Sequence, residues 1–279
     1  MSARPRVAVV GHVEWLTHAL GSFPGPGEIT RLAEPLREPA GGGAVAAAQA
    51  AKLGAETLFF TALGGDEAGE RTRTELAAIG VEVLAVRREA PQTRAVATVD
   101  ASGDRAIAVI GPPTDPRADD PLPWERLADC DAAYFTGHDP QTLQRARGAR
   151  RLVVTARRRS ALEASGVRAD VVVASADDPA EDPSGLPVPP GAVVLTEGAR
   201  GGRYRAGDEP ERRWEPVSPP GPPLDTYGSG DSFAAGLTVG LGRGWPLAEA
   251  IALGARCGAT NLTGRGGLRA QLREGGPTA

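Results

Sequence analysis

Asp231 is the residue around which chemistry can be built. It lies in the segment Asp225-Thr-Tyr-Gly-Ser-Gly-Asp-Ser-Phe-Ala-Ala-Gly236, where Gly228, Ser229 and Gly230 precede a carboxylate and an apolar helix. The first amides of a helix have no intrahelical acceptor and carry the positive end of its dipole, so such a start binds anions. An Asp at a helix start is also a good N-cap, and position alone leaves both readings open. The combination points further. A carboxylate at the edge of a glycine-flanked anion hole can take a proton from a hydroxyl while neighbouring amides absorb charge on a transferring phosphoryl group.

The elements that would position this segment alternate. Strands are expected at Arg6–Val10, Glu56–Ala62, Val81–Val86, Ala132–Phe135, Leu152–Thr155, Asp170–Ala174 and Ala192–Thr196. Helices are expected at Ala44–Leu53, from an Asp66 cap to Ala78, at Pro140–Gly148, Gly230–Leu241 and Pro246–Leu262. Strand–helix alternation argues a doubly wound, mostly parallel α/β sheet. Two regions break the rhythm. Thr93–Val99 and Arg105–Ile110 flank a turn at 101–104 and read as a hairpin. Residues 12–40 carry a Pro/Gly turn at Gly21–Ile29, followed by an expected edge strand. Strands without helices between them imply a small separate sheet. A second hairpin is expected from Arg203–Ala206 and Arg213–Val217, and Pro-rich loops at 111–123, 179–190 and 216–223. The whole chain, 1–279, reads as one domain with this appendage.

Composition narrows the function. The net charge of −4 gives no electrostatic footprint for nucleic acid. The run Arg157-Arg158-Arg159 reads as a solvated turn. No apolar stretch approaches the ~20 residues of a membrane span, and Met1 to Pro5 lacks a secretory signal, so a cytoplasmic protein is expected. Cys130 and Cys257, without CxxC spacing, read as core residues. No GxGxxG joins the first strand to the first helix, which argues against a dinucleotide-dependent oxidoreductase.

DTYGSGDSFAAG closely resembles the C-terminal signature of ribokinase-like (PfkB) carbohydrate kinases. GGG at Gly41–Gly43 followed by AVAAAQAAKLGA, then FFTALGGDEAGE, resembles their N-terminal signature, and FPGPGE their first lid strand. The resemblance in architecture runs from about residue 5 to residue 270. It implies a ribokinase-like fold with a β lid formed by about 12–40 and 93–110, a lid that often pairs two subunits. It implies ATP-dependent phosphorylation of a sugar or sugar-like hydroxyl, with Asp231 as base and Gly228, Ser229 and Gly230 as anion hole. Nucleotide contacts are implied for Thr196, Gly198, Arg200 and Gly201, and for Gly258 and Asn261 on the last helix. Gly41 and Gly42 are implied at the acceptor. Mg²⁺ is implied, with Ser175-Ala-Asp-Asp178 standing for the family's NxxE water network; Asp178 could serve, with Glu181 near. Asp225 and the carbonyls of Tyr227, Asn261, Gly264 and Gly266 match positions that hold a monovalent cation such as K⁺ in several members.

The acceptor positions depart from that pattern. Leu16 stands where sugar kinases of this kind carry an Asp, Val45 where they carry an Asn, and His138 and Asp139 near a Glu position. Missing partners would cost a ribose-like ligand about 1–3 kcal/mol per unpaired group. His12 and Glu14 could rebuild polar contacts, as could His138, and Trp15 could stack on a flat acceptor; each could equally be a core or loop residue. The alternatives are a nucleoside or other small-alcohol kinase of the same fold, or a non-catalytic sugar- or nucleotide-binding relative.

Overall fold

The computed structural model describes residues 4–100 and 105–275. Thirteen strands run β1 (Arg6–Gly11), β2 (Glu14–Leu20), β3 (Ala33–Ala40), β4 (Glu56–Leu63), β5 (Val81–Arg87), β6 (Arg94–Val99), β7 (Arg105–Ile110), β8 (Ala132–Thr136), β9 (Leu152–Thr155), β10 (Val171–Ser175), β11 (Ala192–Thr196), β12 (Gly202–Ala206) and β13 (Arg212–Trp214). Six α-helices accompany them: α1 (Gly41–Lys52), α2 (Glu67–Ala78), α3 (Pro140–Ala146), α4 (Arg159–Ser165), α5 (Ser229–Gly242) and α6 (Leu247–Asn261).

The main sheet has nine strands in the order β13-β12-β11-β10-β9-β8-β1-β4-β5. Pairing is parallel from β11 across to β5, and antiparallel only for β12 and β13. Its parallel strands, such as Val171–Ser175, are apolar runs covered on both faces, as burial between helical layers requires. One core layer joins β1, β4 and β8 to α1, α5 and α6; the other seats α3 and α4. The Ala-rich α1 is buried for its first ten residues because its small side chains let it lie close to the sheet. The chain leaves β1 in one direction for β4 and β5 and returns on the other side as β8 to β11. The C-terminal edge between β1 and β8 is therefore the crevice where doubly wound folds bind ligands.

A second sheet has the order β3-β2-β6-β7. The predicted hairpin forms its β6 and β7, with the 101–104 tip outside the described residues. In the 12–40 region the expected Pro/Gly turn is followed by β3 at the sheet edge. FPGPGE itself lies in the loop of residues 21–32 rather than in a lid strand, and the strands lie before and after it. Two prolines and three glycines there deny the backbone regular φ and donors. The β2–β6 pairing is parallel and spans about eighty residues of sequence, so no local pattern announces it.

Candidate active site

The α5 segment builds the anion site locally. Gly228 is the N-cap, at φ +77°, a conformation that favours glycine. A Cβ there would also lie 3.0 Å from Gly267 Cα. With Gly228 as cap, Asp231 sits in the first helical turn and is not the N-cap. The Ser229 hydroxyl turns back to donate to the Thr226 carbonyl at 3.1 Å, and its backbone amide makes a longer 3.4 Å bond to the same oxygen, the weaker of the two and the one an anion could recruit. Gly230 faces open space.

Asp231 is half-buried beside Gly42 of α1. A Cβ on Gly42 would lie 2.8 Å from both Asp231 Oδ1 and Thr136 Oγ1, so only glycine leaves the carboxylate room. The Tyr134 hydroxyl is 3.5 Å from Oδ1. Burial pushes the Asp231 pKa up to about 6, helped by the charge of Glu181 and opposed by Arg157 and Arg158. A carboxyl poised near neutrality suits a general base.

The C-terminal ends of β1, β8 and β9 supply a polar wall facing that base. His12 Nδ1 lies 3.1 Å from the Thr136 carbonyl, and burial lowers its pKa to about 4, leaving the ring neutral at pH 7. Glu14 and His12 pack against Gly41. Burial, then the Asp231 charge, raises the Glu14 pKa. His138 is hydrogen-bonded through Nδ1 to Asp115, and its Nε2 accepts from Arg158 Nη1 at 2.5 Å. Arg158 also donates from Nε to the Thr136 carbonyl at 2.8 Å. Arg158 is half-buried, and among the described residues no carboxylate lies within ion-pair distance of it. A chain Asp115–His138–Arg158 thus aims an unneutralised guanidinium at the cleft.

The profile of the pfkB family of carbohydrate kinases matches residues 4–180 and 188–272. The chain belongs to this family. A 72-residue stretch is 41% identical to an acarbose 7(IV)-phosphotransferase of Actinoplanes sp.; it is 25% of this chain and only 24% of that protein. A ribokinase from Thermotoga maritima superposes with a TM-score of 0.80 at 20% identity, covering 97% of each chain. A microbiome-derived acarbose kinase superposes at 0.79 and 21% identity, covering 97% of this chain and 96% of the other. These last two likenesses establish the fold. For a pfkB-family kinase, ATP-dependent phosphoryl transfer to a carbohydrate-type hydroxyl is the class of reaction, and ATP and Mg²⁺ are the expected cofactors.

The residues singled out from the sequence lie at several places around this pfkB-family cleft. Thr196 ends β11, and Gly198, Arg200 and Gly201 form the turn after it; Arg200 is exposed and paired with Asp177 at 2.7 Å. Gly258 packs against Ser229 at the start of α5. Asn261 is fully buried and donates to the Gly267 carbonyl at 3.0 Å, which makes it a brace for that loop rather than an exposed nucleotide contact. Trp15 is also corrected: it is buried on β2 with the Arg71 guanidinium 4.7 Å from its ring centre, packed against α2 instead of open to an acceptor. Asp178 caps a short turn and pairs with Arg157 at 2.7 Å, while Glu181 is the buried acid whose charge acts on Asp231. Asp225 is buried against His18. The largest omission is Arg158. Three consecutive arginines read as a solvated turn, and Arg157 and Arg159 do lie at the surface, paired with Asp178 and Glu181 and with Glu163; Arg158 alone turns inward. Its position directly after a parallel strand was the available signal.

Proposed function

We propose that the chain transfers the ATP γ-phosphoryl group to a hydroxyl of a poly-hydroxylated carbohydrate, acting in the cytoplasm as one catalytic unit under its own β lid. Asp231 takes the hydroxyl proton, and the α5 amides at Ser229, Gly230 and Asp231 hold the transferring group. The observation that carries this reading is the apposition of Asp231 and Gly42 at an open helix start, with the base poised near pH 6. The same arrangement argues against a purely binding relative, which needs no such base.

Mg²⁺ binds through oxygen ligands, waters and phosphates, and the acids after β10 fit that chemistry. Glu181, with Asp178 beside it, would hold its water shell at this edge; bound there, the ion would neutralise phosphate charge. The Thr196–Gly201 turn and Gly258 border the nucleotide. His12, Glu14, His138, Asp115 and Arg158 bind the acceptor, offering donors and acceptors that match vicinal hydroxyls. A nucleoside acceptor drew its support from Trp15 as a stacking face, and Trp15 faces α2. The relative named as an acarbose phosphotransferase favours an oligosaccharide-type acceptor. The exposed edge strand β7, carrying Ile107, Val109 and Ile110, suits pairing of two lids; light scattering should find a dimer.

The deciding experiment is a coupled ADP-release assay with Mg·ATP against oligosaccharides, monosaccharides and nucleosides, beside Asp231→Asn. Turnover confined to carbohydrates and lost in the variant supports the reading. Turnover on nucleosides alone overturns the acceptor class, and an unimpaired variant overturns the base.

A further inference from the structure

The loops on either side of the anion hole are clamped from the lid. His18 of β2 is fully buried, and its Nε2 lies 2.8 Å from Asp225 Oδ2, within ion-pair range though the N–H is not aimed squarely at the oxygen. Asp225 Oδ1 accepts from the Tyr227 amide at 2.9 Å and Oδ2 from the Gly266 amide at 2.9 Å. From β3, the buried Glu38 accepts from the amides of Gly267 and Leu268 at 2.7 and 3.3 Å. Asn261 completes the clamp through the Gly267 carbonyl.

This arrangement does not fit a monovalent cation. Such an ion needs an Asp225 oxygen with free lone pairs and carbonyl oxygens turned toward it. The groups turned toward Asp225 are two amide N–H donors, and the His18 Nε2 occupies the space 2.8 Å from its Oδ2. The Asn261 carbonyl already accepts from Gly264 at 3.2 Å, and Glu38 fills the space beside Gly266.

We infer that His18 is a positioning residue that does the work of a monovalent cation: it holds Asp225, and through it the 225–228 turn that enters the anion hole, so that the enzyme needs no K⁺. Because His18 and Glu38 belong to β2 and β3, the seat of the lid and the shape of the anion hole are set together. The activity consequence rests on the kinase reading above; occupancy of Asp225 does not.

The test therefore uses two readouts, thermal unfolding and ADP release, in KCl and in tetramethylammonium chloride at equal ionic strength. A cation bound at tenfold its dissociation constant would raise the unfolding midpoint by roughly 3 °C. For the wild-type protein no K⁺-specific shift and no K⁺-dependent rate is expected. In His18→Asn, which frees space beside Asp225, ADP release should fall about tenfold without K⁺ and recover in part with it, and a K⁺-specific stabilisation should appear. A K⁺ shift in the wild-type protein overturns the inference, as does a His18→Asn variant that keeps full rate and ignores K⁺. If His18→Asn does not fold, His18→Gln carries the same comparison. If no acceptor turns over, the kinase reading fails while the unfolding data still decide whether K⁺ occupies the site.

Discussion

The two ends of the catalytic cleft are built by different means. The phosphoryl-transfer end is continuous in sequence: Gly228 supplies a left-handed backbone turn, α5 follows, and Asp231 lies in its first turn. The acceptor end is discontinuous. His12 follows β1, Asp115 lies in the loop after β7, His138 follows β8, and Arg158 follows β9, joined by hydrogen bonds spanning 20 to 146 residues. A site made from one segment's backbone tolerates little change and keeps its chemistry. A site assembled from strand-end side chains can be rewritten one position at a time, so substrate choice can vary while the reaction stays fixed.

Breaking the first end should have the largest effect. Asp231→Asn is expected to lower kcat by roughly 10²–10⁴-fold, the usual contribution of a general base. It should also remove the acid limb of the rate profile, which in the wild-type protein rises as pH passes about 6. The sign for stability is opposite. A carboxyl whose pKa is raised on folding contributes stability that is present at low pH and lost as pH rises through about 6. The variant should therefore unfold at the same or a higher temperature than the wild-type above pH 7, and unfolding scans at pH 5 and 8 check this.

The second end should respond more weakly and in a different parameter. Arg158→Gln removes the only strong positive group of the Asp115–His138–Arg158 chain and should lower kcat/KM about 10²-fold, the scale of losing one preorganised electrostatic donor. Asp115→Asn, whose carboxylate holds His138 and whose charge also acts on His12 and Arg158, should cost about tenfold and raise KM more than it lowers kcat. Equal losses of kcat for the two would mean that the chain serves the phosphoryl group rather than the acceptor.

Arg157 lies between the two ends, bridging Asp178 and Glu181 at 2.7 Å each. Its charge is the largest influence holding the Asp231 pKa down against burial. Arg157→Gln should move the acid limb of kcat/KM upward from about 6 while changing the rate above pH 8 little. An unmoved limb would show that the base does not feel this guanidinium.

Legibility in the sequence follows the same division. The nine-strand alternation, the Asp66 cap, which accepts from the Gly69 amide, and the α5 start are local signals. Each depends on residues within a few positions of one another. The lid strands were harder to place. The burial pattern of β2, Glu14–Leu20, lacks the two-residue alternation of a half-exposed strand, and its partners are set by β3 and the distant β6. Arg158 was missed for a related reason. A charge run is usually solvated, as Arg157 and Arg159 are, and only the return of β8 and β9 alongside β1 turns Arg158 inward. Trp15 failed in the opposite sense, because strand pleating sends neighbours to opposite faces: Glu14 faces the cleft, and Trp15 does not.

That last contrast gives the smallest expected effect and a sharp discrimination. Trp15 packs under Arg71 of α2, so Trp15→Leu should leave the acceptor KM within about twofold while losing the cation–π contact and buried ring volume, at about 1–3 kcal/mol of stability. A flat acceptor stacked on Trp15 would instead lose affinity about tenfold, since an aromatic contact is worth ~1 kcal/mol or more. Glu14→Gln, one position away on the other face, should raise the acceptor KM several-fold with unchanged thermal stability. If the two variants exchanged these behaviours, the β2 face assigned to the cleft would be the wrong one.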